Sequence, residues 1–227
     1  MIAIRSLIPA LLGFALANSA PAAETKTTEA AALAVLASEA GLHEKARACQ
    51  QLAVVGGPAA VPALASLLDQ EHLADYARSG LEAIPNPAAG EALRTALPRL
   101  KGRLLAGVVN SLGVRRDAAA VPDLQKLALN PQSGVAAEAL ASLGMIGTGE
   151  AAKTVHKVLT DGPADLRIPA AHAALTASAQ LARDGNPAAA RVLLDCVGRS
   201  LPPGLLPTAA QRQAAALSAK PAPAAPK

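Results

Sequence analysis

Five segments of this sequence align on one another without internal gaps: Leu52-AVVGGPAAVPA-Leu64, Leu81-EAIPNPAAGEA-Leu93, Leu112-GVRRDAAAVPD-Leu124, Leu143-GMIGTGEAAKT-Val155 and Leu181-ARDGNPAAARV-Leu193. The leading Leu recurs after 29, 31, 31 and 38 residues, and each copy can be numbered from it as step 0. Step 6 is Pro58, Pro87, Ala118, Gly149 and Pro187. Step 8 is always Ala (Ala60, Ala89, Ala120, Ala151, Ala189), and step 12 is always Leu or Val. A period of this length restricts the chain to stacked supersecondary units, none of which can close a core alone.

The chemistry at each step says what the unit is. Step 5 is Gly57, Asn86, Asp117, Thr148 and Asn186, residue types that accept from, or leave room around, the free N–H groups of a helix's first turn. Pro follows in three copies, where its missing N–H has no intrahelical partner to lose. Gly56, Pro85, Gly147 and Gly185 stand just before the caps and stop a preceding helix. Each segment thus runs from one helix through a tight turn into a second. In the second helix, apolar or small residues fall at steps 8, 12, 15 and 16, as in Ala60/Leu64/Leu67/Leu68 and Ala151/Val155/Val158/Leu159. That is one stripe of a 3.6-residue period. The expected fold is all-α, a solenoid of about five stacked antiparallel hairpins over residues 43–200. A helix over residues 27–40 is placed to cap the first repeat, within a capping segment 23–42. A short helix over 208–219 precedes a Pro/Ala-rich tail, KPAPAAPK, within the segment 201–227.

Composition fits close helix packing. The chain is 52% hydrophobic yet has no Trp, one Phe (Phe14) and one Tyr (Tyr76), so its interior must be filled by Ala and Leu, the strongest helix formers. Arg5, an apolar run over residues 6–17 and the small residues Ala20-Pro21-Ala22 read as an export signal over residues 1–22. The alternative is an uncleaved anchor, which Pro9 and Gly13 weaken as a helix. The mature chain then carries 20 basic and 17 acidic residues, a charge of +3. That is too mild to point to nucleic acid. Cys49 and Cys196 are the only cysteines and are no disulfide framework. Four repeats apart, they stand far beyond the roughly 7 Å that a bridge tolerates between Cα atoms. Cys196, at the apolar step 15, reads as a small core residue.

The segments resemble HEAT repeats, in particular the short HEAT-like repeats of the phycobilisome lyase type. The stretch Leu143-GMIGTGEAA is similar to that family's A-L-G-x-[IL]-G-x-x-x-A pattern, and Arg116-Asp117 stands where HEAT repeats often place an Asp in the turn. The resemblance covers about residues 43–197 and implies a right-handed, armadillo-like superhelix whose second helices line the concave surface. It implies a generic binding scaffold, and no lyase residue carries over.

Catalytic chemistry has little to build on. His43, His72, His156 and His172 fall at unrelated steps, and no C-x-x-C, G-x-S-x-G, G-x-G-x-x-G or P-loop motif is present. No cofactor, metal or catalytic residue is expected. Two polar features remain. One is a basic cluster, Arg94, Arg99, Lys101, Arg103, Arg115 and Arg116, with no acid among them before Asp117. The other is the outer face of the second helices at steps 10, 13 and 14: Glu91, Arg94, Thr95, Gln125, Lys126, Lys153, His156, Lys157 and Arg191. By the HEAT resemblance this mostly basic ladder faces a partner, and the competing reading is a solvated face that keeps an Ala-rich protein soluble. Tyr76 anchors an interface or fills a gap between hairpins.

The expected function is that of an exported scaffold, periplasmic or secreted. It would bind another protein with an acidic patch through the second helices, not nucleic acid, and would insert in no membrane once the signal is removed. The rival readings are a subunit or regulator of an exported enzyme complex, or a chromophore-lyase-like enzyme.

Overall fold

The computed structural model describes residues 21–218. The export signal expected over residues 1–22 lies outside that range but for its last two positions, and so does the Pro/Ala-rich tail from position 219. The described residues are all-helical, with twelve α-helices, short 3-10 turns and no strand. The helices are α1 (Pro21–Ala37), α2 (Leu42–Val55), α3 (Val61–Ala65), α4 (Ala74–Ala83), α5 (Pro87–Ala96), α6 (Gly102–Val114), α7 (Val121–Ala128), α8 (Ala136–Ile146), α9 (Gly149–Asp161), α10 (Arg167–Arg183), α11 (Pro187–Ser200) and α12 (Leu205–Ser218).

The caps fall at step 5. The side chains of Asn86, Asp117, Thr148 and Asn186 accept from the backbone N–H groups of Ala88, Ala119, Ala151 and Ala189. Gly57 has no side chain to accept, and its own N–H donates to Glu29 Oε1 of α1 at 2.7 Å. The first helices end as their Gly positions require: Gly147 and Gly185 take φ of 67° and 81°. Arg116 takes the same left-handed region with φ 51°, the one non-Gly residue among those described to do so.

The second helices do not all begin at step 6. Pro stands at step 10 in the first and third repeats (Pro62, Pro122), where its missing N–H breaks the bond to the step-6 carbonyl. There the chain makes a separate 3-10 turn, Pro58–Ala60 or Ala118–Ala120, and the α-helix starts only at Val61 or Val121. With Glu91, Lys153 and Arg191 at step 10, α5, α9 and α11 run unbroken from step 6.

Packing follows the repeat. The first helices contact one another in order, α2 to α4 to α6 to α8 to α10. Each second helix also contacts the helix that follows it: α3 on α4, α5 on α6, α7 on α8, α9 on α10, and α11 on α12. Among the second helices, α3 packs on α5 and α7 on α9 on α11, while α5 and α7 make no comparably close approach. The leading Leu of every repeat (Leu52, Leu81, Leu112, Leu143, Leu181) and every step-12 residue are buried. Removing such side chains from water stabilises each by about 1.5–3 kcal/mol. α1 packs on α2 at one end. At the other, α12 covers α11 with Pro207, Ala210 and Ala214.

Candidate interaction surface

The basic cluster and the ladder fare differently. Arg99 pairs with Asp69 at 3.1 Å and donates to the Ala65 carbonyl. Arg103 bridges Glu71 at 2.9 Å and Asp75 at 2.7 Å, and these acceptors hold its guanidinium above the ordinary arginine pKa, the hydrogen bond to Glu71 foremost. Arg115 donates to the carbonyls of Leu81, Glu82, Ile84 and Asn86 at 2.6–3.0 Å. It therefore closes the C-terminal end of α4, where carbonyls lack intrahelical partners and a cation is favoured. Arg116 reaches the other way, to the Ile146 carbonyl and to Asp184 at 2.9 Å. Arg94 pairs with Asp117 across the seam between α5 and α7. Of the six basic residues, Lys101 alone has no such partner among the described residues. The cluster chiefly joins repeats to one another.

The acids that meet these arginines, Asp69, Glu71, Asp75 and Asp184, lie 28–68 residues away in sequence. A step-by-step reading of single repeats gives no signal for them.

On the ladder, each lysine has an acid one turn away: Lys126 with Asp123 at 2.9 Å, Lys153 with Glu150 at 2.6 Å and Lys157 with Asp161 at 3.7 Å. These acids stand at steps 11, 7 and 18, off the face read from the sequence, and they lower the net positive charge of the ladder. Exposed pairs of this kind stabilise by about 0–1 kcal/mol and leave the lysines free to exchange partners. Arg191 donates to Ser218 Oγ of α12. Glu91 and Thr95 are exposed on α5.

Step 13 has a distinct role, because its side chain faces the next repeat. Arg94 meets the Asp117 carboxylate there, and Gln125 Nε2 donates to Thr154 Oγ1 at 2.7 Å and to the Glu150 carbonyl at 3.3 Å. His156 is half-buried at the same step, and its ring meets no hydrogen-bond partner among the described residues. Opposite it, at step 11 of the last repeat, stands Val192, 55% exposed, where the preceding repeats have Asp123 and Thr154. His156 and Lys153 on α9, Ala189, Val192 and Leu193 on α11 and Asn186 at the N-cap of α11 line a groove of about 500 Å³ floored by Ala152. The step-8 Ala, fully buried in the first four copies, is only half-buried at Ala189, while step 9 is buried in all five (Val61, Gly90, Val121, Ala152, Ala190). The half-buried Ala189 leaves its methyl group on the wall of this groove. A smaller one, about 320 Å³, lies over the α5–α7 seam between Arg94, Leu97, Pro98, Asp123, Lys126 and Leu127.

Cys49 and Cys196 are buried and free, and burial raises the Cys49 thiol to about 11. Tyr76, on α4, is 38% exposed. Among the described residues no three His, Cys, Asp or Glu side chains gather as a metal site would need. No helix there is long and apolar enough to cross a membrane. No family model matches the sequence, and no curated protein is detectably similar to it.

Proposed function

We propose that this chain is an exported, non-enzymatic binding scaffold. In this reading it is a right-handed α-solenoid of five HEAT-like hairpins, capped by α1 and α12, that holds another protein against the exposed faces of its second helices. The observation that supports it most is the pair of apolar-floored grooves that open between second helices, over the α5–α7 seam and between α9 and α11. Lysines at their rims hold only exposed, exchangeable acids. Successive contacts of first helix on first helix, with caps recurring at step 5, are what a stacked-hairpin array requires. A rim of this kind gives orientation and association rate, while affinity comes from a few buried contacts.

The test uses purified chain as bait in envelope and secreted extracts, beside a Lys126→Glu/Lys153→Glu/Lys157→Glu variant. All three lysines are well exposed, so the variant keeps the fold. A protein retained by the native chain, lost by the variant and released by salt is the expected result. Equal retention by both chains removes the second helices from the reading.

A further inference from the structure

Two of the four junctions between repeats carry a polar contact from step 13, the first having only Ala65 there. Arg94 finds the Asp117 carboxylate, and Gln125 finds Thr154 Oγ1 and the Glu150 carbonyl. At the last junction His156 shares its groove with Val192, Ala189, Leu193 and Asn186, and its ring bonds none of them among the described residues, the Asn186 side-chain oxygen accepting from the Ala189 N–H. The donor is kept, and at step 11, where Thr154 accepts from Gln125, exposed Val192 stands in the last repeat. Lys153 stands beside His156, held only by Glu150 on a pair in which both side chains are more than two-thirds exposed. A ligand carboxylate there would take the part that Thr154 Oγ1 takes for Gln125, and an adjoining aliphatic side chain would cover Val192 and Ala152.

We infer that the α9–α11 groove takes a short linear segment of another protein in which an aliphatic residue adjoins an Asp or Glu, the aliphatic side chain on Val192 and the carboxylate on His156 and Lys153. Charge complementarity selects the acid, since both groups on the α9 wall can donate, no Asp or Glu among the described residues lines the groove, and Lys153 pairs only with the exposed Glu150 there. The groove's size suits one or two side chains of an extended peptide, not a folded domain. This assignment rests on the binding-scaffold reading and narrows it to one groove.

Random twelve-residue peptides displayed on phage are selected against the full chain. The best is made with a fluorescein label and titrated by anisotropy against the native chain, Val192→Glu, His156→Glu and, outside the groove, Lys126→Glu. The expected result is enrichment of peptides with Leu, Ile or Val next to Asp or Glu. Affinity should fall about tenfold or more for Val192→Glu and His156→Glu, as for a lost anchor contact, and less than about twofold for Lys126→Glu. The substituted side chains are at least partly exposed, and circular dichroism checks that each variant folds. Enriched peptides without an acid, or binding that Val192→Glu leaves unchanged, overturn the assignment. Loss on Lys126→Glu alone does so too, while leaving the second-helix scaffold standing. Two further outcomes name a different occupant and equally overturn it: a dimer in light scattering that Val192→Glu dissociates, or probe affinity that rises about tenfold when residues 219–227 are removed.

Discussion

The α4–α6 and α8–α10 boundaries join equivalent first helices by opposite means. At step 1 the second repeat has Glu82, while the third and fourth have Gly113 and Gly144. Ser111, at the step before the leading Leu of the third repeat, reaches back to Glu82 Oε1 at 2.5 Å, and Arg78 joins the same carboxylate at 3.1 Å. Its counterpart Ser142 finds only Gly113 at step 1 and reaches past it to the Val109 carbonyl at 2.9 Å. At Gly144 the helices close further, and a Cβ added there would stand 2.8 Å from the Ala173 carbonyl oxygen and 2.9 Å from its Cα. Ala170, Ala173, Ala174 and Ala177 fill most of the α10 side with methyl groups, and toward its end Gln180 Nε2 donates to the Met145 carbonyl at 3.3 Å. One position decides which kind of boundary forms. A carboxylate at step 1 holds the helices apart and recruits arginines, and a glycine lets backbones approach until dispersion and burial suffice.

The comparison is broken most severely at its tightest point. Gly144→Leu places a branched side chain against the α10 backbone, which cannot rotate out of the way as a side chain could. The expected loss is about 3 kcal/mol or more in urea unfolding. The same substitution at Gly107 faces the flexible Arg78 side chain instead, 3.0 Å from its Nε, and is expected to cost far less. Equal losses at the two glycines would mean that the boundaries do not differ as described.

Next in size is Arg115→Met, which keeps much of the length of the side chain and removes the guanidinium donors from the end of α4. Four carbonyls lose their shared partner, and because the site is only half-buried, water replaces part of it. About 2–3 kcal/mol of stability is expected to go, with amide exchange in α4 rising more than in α8 or α10. Uniform acceleration along the chain would show that Arg115 does not act on that boundary in particular.

A third test uses pH to ask what an apolar boundary does to a group that can ionise. Cys49 lies fully buried on α2, which packs on α4, and desolvation raises its thiol from 9.0 to about 11. The folded chain therefore keeps a proton that the unfolded chain releases above about pH 9. This contribution is fully present below that pH and is lost as pH climbs toward 11. At pH 10 the native chain is expected to be about 1 kcal/mol less stable, relative to its own value at pH 8, than Cys49→Val is. Identical pH profiles for the two chains would count against a desolvated thiol.

Much of this fold was legible in the sequence because its signals are local. Caps at step 5 act within one turn, and the buried stripe of steps 8, 12 and 15 repeats within one helix. The interrupted starts of α3 and α7 follow from Pro62 and Pro122 at step 10, a position that the step-6 recurrence does not mark. The roles of the arginines were not legible. Arg99, Arg103 and Arg115 meet partners 28–34 residues away, so their engagement depends on how one repeat is set against the next, and no periodicity within a repeat encodes it. The α9–α11 groove was hidden for a related reason. Ala189 satisfies the sequence rule at step 8, and its partial exposure on the groove wall is not encoded in that rule.

The smallest effect belongs to Arg103, and it sharpens the comparison by marking where the polar boundary ends. Its guanidinium pairs with two acids on the α4–α6 side, Glu71 and Asp75, yet all three side chains are at least half exposed. Water and salt solvate each of them nearly as well when they are apart, so a dense set of ion pairs at the rim contributes little where a single half-buried Arg115 contributes much. Arg103→Gln should therefore move the urea midpoint only slightly at low ionic strength and not at all in 1 M NaCl, while Arg115→Met keeps most of its effect in both. A large, salt-resistant loss for Arg103→Gln would place the ordering contact at the rim, and the boundary would then be an electrostatic clasp, not a helix-end cap.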